Sequence, residues 1–158
     1  MANEGKIFED DVRKSFEKNR ILRLYDTTNG YKGVTNPCDF VIFGNYKTIL
    51  LETKSVQGNR MPFSNITDNQ LDGLFLYRNT NTLAGVLIQF REARKVYFVD
   101  ILTINDLLNS GTKSITPAVC AVRGVEIECD WKRTHMHFNG EQFIRLLEWT
   151  FRYKDTRL

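Results

Sequence analysis

Apolar residues recur along the chain with two different periods, and the switches between them mark the elements. Phe8, Val12 and Phe16 stand four apart in an otherwise charged stretch, so the spacing predicts an amphipathic helix over residues 6–20, with Glu9 bordering its apolar stripe. Turn formers crowd residues 25–33, after which Asp39-Phe40-Val41-Ile42-Phe43 predicts a strand that Gly44-Asn45 turns back. The stretch TILLETK, residues 48–54, predicts a second strand antiparallel to the first, apolar at its start and polar from Glu52. After a loop over 55–66, Thr67-Asp68-Asn69-Gln70 has the form of a capping box. It opens a helix whose expected buried face is Leu71, Leu74 and Phe75.

Residues 84–90 are apolar almost throughout, the mark of a central strand covered on both faces, and 95–100 predict its hairpin partner across 91–94. A short helix over 103–109 stops at Gly111. Strands are expected over 125–129 and 134–138, and Asn139 is placed to cap a final helix carrying Phe143, Leu146, Leu147 and Phe151. The order of elements predicts an α/β (α+β) domain, a mixed central β-sheet flanked by helices. With 158 residues and no repeat or low-complexity tract, the whole chain is expected to be a single domain.

Composition changes this picture little. Apolar residues make up 42% and charged residues 26%, which excludes an intrinsically disordered chain. A formal charge of +3 permits an anionic partner without marking a strongly basic binder. Cys38, Cys120 and Cys129 have no CxxC spacing, so neither a disulfide framework nor a zinc finger is indicated. No apolar run approaches the roughly 18 residues of a membrane span, and the expected location is cytoplasmic, with no membrane partner.

The chemistry concentrates at the end of the second strand. Alternation places Glu52 and Lys54 on one face and turns Thr53 to the other, towards the interior with Leu51. The hairpin folds Asp39 back beside Glu52. Two converging carboxylates repel unless a cation neutralises them, and hard oxygen donors suit Mg2+ or Mn2+. An ammonium two residues away adds a group that binds a phosphate and orients or deprotonates a water. Metal-assisted phosphodiester hydrolysis fits this set. Enzymes of that kind lower the barrier by up to about 23 kcal/mol, more than a lone lysine supplies.

Pro37-Cys38-Asp39 followed by Glu52-Thr53-Lys54 resembles the signature of the PD-(D/E)xK nuclease superfamily, with one residue inserted between proline and aspartate. In order and spacing, several further segments resemble the RecU-type Holliday junction resolvases, phage-encoded members included. They are Leu51-Glu52-Thr53-Lys54-Ser55, Met61-Pro62-Phe63-Ser64-Asn65-Ile66, Asp68-Asn69-Gln70-Leu71, Gly85-Val86-Leu87-Ile88 and Val96-Tyr97-Phe98. Lys113-Ser114-Ile115 and the aromatic-rich last helix extend a likeness that covers about residues 6–115. The resemblance implies a restriction-endonuclease-like PD-(D/E)xK core and Mg2+- or Mn2+-dependent cleavage of four-way DNA junctions during recombination. It further implies a homodimer working inside a bacterial or phage-infected cell.

Carried over residue by residue, the resemblance makes Asp39 and Glu52 metal ligands, the Thr53 carbonyl a candidate third donor and Lys54 the base that positions water or phosphate. Gln70 matches a helix glutamine of the superfamily, and Glu9 the first-helix acid that contributes to the metal site. Both also have plain structural readings, Gln70 as the closing member of a capping box and Glu9 as one of many helix-surface acids. Arg60 and Lys113 are candidate nucleic-acid contacts. Two departures stand out. The stalk that cellular members insert before the catalytic aspartate shrinks to about residues 27–36, and their long basic N-terminal arm has no counterpart. Residues 117–131 carry no motif with a functional account. The same residues would also serve a restriction- or repair-type endonuclease acting on duplex DNA, or a catalytically silent DNA-binding module of the same fold. His135 and His137 alternate on one strand face with no neighbouring ligand in the sequence, so a structural or surface role is expected. Cys38, on the strand face opposite Asp39, is expected to be a buried small apolar side chain.

Overall fold

The computed structural model describes residues 3–25 and 36–152; all but the last of the residues in the expected stalk remnant lie outside them. Helix α1 (Glu4–Lys14) is followed by strands β1 (Ile21–Arg23), β2 (Phe40–Phe43), β3 (Thr48–Val56) and the short β4 (Met61–Pro62). Next come helix α2 (Asp68–Tyr77), strands β5 (Thr82–Phe90) and β6 (Lys95–Asp100), helix α3 (Ile101–Asn109), β7 (Ser114–Ile115) and helix α4 (Pro117–Arg123). The described chain ends through β8 (Val125–Ile127), β9 (Asp130–Lys132), β10 (His135–His137) and helix α5 (Gly140–Phe151).

Six strands form one sheet in the order β1-β2-β3-β5-β6-β8. Only β3 and β5 run parallel within it, joined through α2, and the other neighbours are antiparallel. Alternation along the strands builds a core on each face. Ile49, Leu51, Leu83 and Leu87 pack with Phe8, Val12 and Phe16 and with Phe143, Ile144 and Leu147 of α5. On the other face Leu50, Ala84, Val86 and Ile88 pack with Leu74 of α2 and Ile101 and Ile104 of α3. The mixed sheet flanked by helices is therefore as the periodicity predicts, and β5 is covered on both sides.

Several boundaries differ for identifiable reasons. α1 stops at Lys14 rather than near Arg20, because Ser15 takes the C-cap and its hydroxyl donates to the Asp11 carbonyl at 2.9 Å. Phe16 still reaches the core: the Ser15 carbonyl accepts from Gly140 N, and the Ser15 hydroxyl accepts from Phe138 N, which docks this corner under α5. On α2 only Leu74 is fully buried, and Phe75 lies 46% exposed, because the next position rotates about 100° away from the sheet. Leu146 of α5 likewise lies off the buried face. Residues 134–138 yield a strand, but β10 pairs with β9 in a separate ribbon outside the central sheet. The segment 117–131 supplies α4, the edge strand β8 and β9, so its role in the fold is to extend and cover the sheet. No helix among the described residues is long and apolar enough to cross a membrane.

One side chain fixes the β2–β3 hairpin. Glu148 of α5 is buried, and its carboxylate accepts the backbone N–H groups of Asn45 at 3.0 Å, Lys47 at 3.1 Å and Tyr46. A Cβ on Gly44 would stand 2.4 Å from the Lys47 carbonyl and 3.1 Å from Glu148 Oε1, so the turn accepts no larger residue there. Charged hydrogen bonds contribute about 1.5–3 kcal/mol each, and buried groups left unpaired carry a penalty of their own. Glu148→Ala is therefore expected to cost roughly 2–4 kcal/mol of stability in urea denaturation, with Glu148→Gln recovering part of it.

Candidate active site

The hairpin register decides which side chains meet. Phe40 pairs with Leu51 and Val41 with Leu50, so Asp39, one residue before β2, comes opposite Glu52. Residues directly opposite in an antiparallel pair share a face, here the one covered by α2. Asp39 Oδ2 accepts from Thr53 N at 2.9 Å and from the Thr53 hydroxyl at 2.7 Å. These two bonds satisfy the β3 N–H beyond the end of β2 and hold the carboxylate in place. Its Oδ1 takes no hydrogen bond among the described residues.

Glu52 is the buried member of the set. Only 2% of it is exposed, where the change of polarity in TILLETK suggested a solvent-facing strand end. Its Oε1 accepts from Gln70 Nε2 at 2.7 Å and from Lys54 Nζ at 3.2 Å, while Oε2 is buried with no partner. Burial, and after it the nearby Asp39 charge, push the Glu52 pKa up to about 7; Lys54 works in the opposite direction and Glu9 adds a smaller upward push.

Gln70 closes the capping box and also reaches Glu52. Its Oε1 accepts from Thr67 N at 3.0 Å and its backbone N–H donates to Thr67 Oγ1, closing the capping box. With the carbonyl end committed, the amide nitrogen can only face Glu52. A close approach of helix to strand makes this reach possible. A Cβ on Gly73 would come within 2.7 Å of Pro37 Cβ, so glycine lets α2 lie against the chain just ahead of Asp39.

Glu9 faces this region, but it is committed to an ion pair with Arg23 Nη2. Among the described residues no cluster of three or more His, Cys, Asp or Glu side chains is arranged to hold a metal. Glu9 is therefore a neighbour of the two carboxylates without completing a ligand set. Arg23 was not singled out from the sequence. It lies on β1 opposite Phe40, its guanidinium sits over the Phe40 and Tyr25 rings, and its Nε is buried without a partner. The signal available was the apolar stretch Ile21-Leu22 and Leu24-Tyr25, which reads as a short strand interrupted by the charge of Arg23.

Arg60 and Lys113 do come together. Pairing of β4 with β7 brings Arg60 Nη1 to Ser114 Oγ at 3.0 Å and Phe63 N to the Lys113 carbonyl at 2.9 Å. Both line a groove of about 880 Å³ that reaches Thr67 and Asp68 at the start of α2, one turn from Gln70. His135 and His137 form no metal pair: His135 Nδ1 meets Asp11 Oδ1 at 2.9 Å, and Asp11 Oδ2 accepts from Met136 N at 3.1 Å, fastening β10 to α1. Cys38 is buried as expected, though it sits in a bend rather than on the strand. Burial pushes its thiol up to about 12, which leaves no thiolate nucleophile.

The donor chemistry fits a hard divalent cation. Two adjacent carboxylates each hold one oxygen in hydrogen bonds and leave the other uncommitted, and the orphaned Glu52 Oε2 is a buried acceptor that lacks a positive partner.

The model of the family described as "RecU: Recombination protein U" matches residues 5–138. The chain belongs to the RecU family. A search of curated proteins finds no match. Among solved structures this RecU-family chain is similar to Hjc of Archaeoglobus fulgidus, a Holliday junction resolvase from an archaeal hyperthermophile. The TM-score is 0.55 at 20% sequence identity, over 77% of this chain and 95% of that one. The fold is thus of the restriction-endonuclease-like kind that Hjc shares.

Without a cation, the elevated Glu52 pKa sets a direction for stability. A carboxyl whose folded pKa lies above its unfolded value contributes most below the unfolded value, near 4.5, and loses that contribution as pH rises through about 7. In metal-free buffer the parent is therefore expected to lose up to about 3 kcal/mol relative to Glu52→Gln between pH 5 and 8. Urea denaturation of the two proteins at several pH values, in the presence of a chelator, reads this difference.

Proposed function

We propose that this RecU-family protein is a divalent-metal-dependent endodeoxyribonuclease that resolves four-way DNA junctions. The observation that carries the reading is the pair Asp39 and Glu52, register-locked side by side with one free oxygen each and Lys54 at their edge. Asp39 and Glu52 would hold Mg2+ or Mn2+, with the Thr53 carbonyl a candidate further donor. When bound, the ion lowers the pKa of a coordinated water and neutralises charge on the phosphate under attack.

The chain's own groups do the rest. Thr53 holds Asp39 through two hydrogen bonds, and Gln70 holds Glu52 through one, so neither carboxylate needs to reorganise when it meets a cation. Lys54 Nζ, 3.2 Å from Glu52 Oε1, is placed to exchange that contact for a phosphate oxygen or an attacking water. Glu9, neutralised by its ion pair with Arg23, stands near enough for its charge to add a small upward push on the Glu52 pKa. Arg60 and Lys113 at the mouth of the groove give the flanking strand cations to follow. Resolution requires two cuts related by symmetry, and a two-fold homodimer of this single nuclease domain supplies two sites in that relation.

The test uses a synthetic four-way junction with Mg2+. Asp39→Asn and Glu52→Gln are expected to abolish cleavage, and to abolish the rise in Tm that Mg2+ gives the parent. Lys54→Ala is expected to keep that rise while slowing cleavage at least 100-fold. Parent-like cutting by Asp39→Asn would refute the assignment, and equal cutting of linear duplex would replace junction selectivity with a duplex endonuclease.

A further inference from the structure

The outward face of α5 brings exposed aromatic and basic side chains together. Its inner residues Phe143, Ile144, Leu147 and Phe151 are buried in the core. At 100° per residue, Arg145, Trp149 and Arg152 fall within about 60° of one another on the outside, along roughly 10 Å of helix. Trp149 is 66% exposed, an unusual place for the largest apolar side chain. The Arg152 guanidinium lies 3.1 Å from the centre of its ring, and Arg152 Nη1 donates to the Trp149 carbonyl at 2.8 Å. On the flank, where Glu148 grips the β2–β3 turn, Tyr46 stands 85% exposed.

Charge decides what this face fits. The stripe contains two arginines and no acid. The acids nearest to it on the same helix are committed inward, Glu148 to three backbone N–H groups and Glu141 to a two-point ion pair with Arg20. Arginine with tryptophan and tyrosine also suits protein interfaces. A face whose described residues are cationic and bring no carboxylate, on an enzyme that handles DNA, matches a polyanion better. Bases and sugars stack on exposed aromatic rings, while guanidinium groups pair with phosphates.

We propose that Arg145, Trp149 and Arg152, with Tyr46 beside them, form a second DNA contact that grips a junction arm away from the cut. The proposal rests on the resolvase reading above. Glu148 holds the turn at the end of the β2–β3 hairpin opposite to Asp39 and Glu52, and β3 alone separates Thr48 from Glu52 by about 13 Å. A DNA backbone needs four or more nucleotides to cover that span at about 3.4 Å per step. The stripe therefore meets DNA outside the scissile step. It also lies beyond residue 138, where the match to the family model ends, so it belongs to a part of this chain that the family match does not describe.

Anisotropy titrations of a labelled four-way junction, without metal and at several salt concentrations, test the proposal on the full chain. Trp149→Ala and the double variant Arg145→Gln/Arg152→Gln are each expected to bind about tenfold more weakly. The double variant should also lower the slope of log affinity against log salt by nearly 2. Trp149→Phe should bind within threefold of the parent yet lose most of the DNA-induced quenching of tryptophan fluorescence. Single-turnover cleavage at saturating enzyme should be unchanged in all three, and parent-like circular dichroism confirms their fold. Variants that bind within twofold of the parent with an unaltered slope would overturn the proposal. So would a Trp149→Ala protein that keeps its DNA affinity but sediments as a smaller species, since that assigns the face to a second copy of the chain. A parent that neither binds nor cuts junctions would instead refute the resolvase reading, so the two failures are distinguishable.

Discussion

The pairing of Phe40 with Leu51 is the constraint on which the site depends. Side chains alternate with a period of two, so a slip of one residue between β2 and β3 would send Asp39 and Glu52 to opposite faces and leave no site. The hairpin therefore has to be held from outside its own hydrogen-bond ladder. Glu148 does so by gathering three N–H groups of the turn from a helix about 100 residues away in sequence. At the open end of the hairpin Asp39 plays a matching part, accepting the Thr53 N–H and hydroxyl. One carboxylate at each end of a short hairpin sets its register, and only the second is also placed to do chemistry.

The role proposed for Glu52 opposes its contribution to stability. A carboxylate buried with one oxygen unpaired is unfavourable in an isolated fold, and its raised pKa expresses that cost. Gln70 and Lys54 offset part of it through Oε1, but nothing among the described residues reaches Oε2. A divalent cation would remove the deficit and would add the charge that a scissile phosphate requires. On the proposed reading a chain of only +3 net charge suits a polyanionic substrate, because part of the field at the cut would belong to an ion that no count of residues includes. Further cations lie at the groove, in Arg60 and Lys113, and along α5 to its C-cap, in Arg145 and Arg152.

Much of this was legible in the sequence because the relevant signals are local. Alternation in TILLETK, a two-residue turn and a capping box need only neighbours along the chain, and they put Asp39 opposite Glu52, Lys54 beside Glu52 and Gln70 in its cap, where the fold has them. What was not legible came from tertiary packing. The polar end of β3 reads as a surface, yet α2 buries Glu52 because Gly73 lets the helix approach Pro37. Phe75 matches an amphipathic pattern, yet it points outward, since one residue of rotation separates it from Leu74. Glu9 reads equally as ligand or as surface acid, and only the position of Arg23 on the adjacent strand shows to what it is committed. Residues 117–131 lack any motif because they build the edge of the sheet, a task that needs only modest apolar content.

Asp39 and Glu52 are proposed to hold a cation between them. An anomalous difference map from crystals grown with Mn2+ examines this proposal directly. A single strong peak is expected within about 2–2.5 Å of Asp39 Oδ1 and Glu52 Oε2, the two oxygens left uncommitted by Thr53, Gln70 and Lys54. A map with no peak between these carboxylates, or with Mn2+ held instead by Glu9 or by the His135–Asp11 pair, would contradict the proposal.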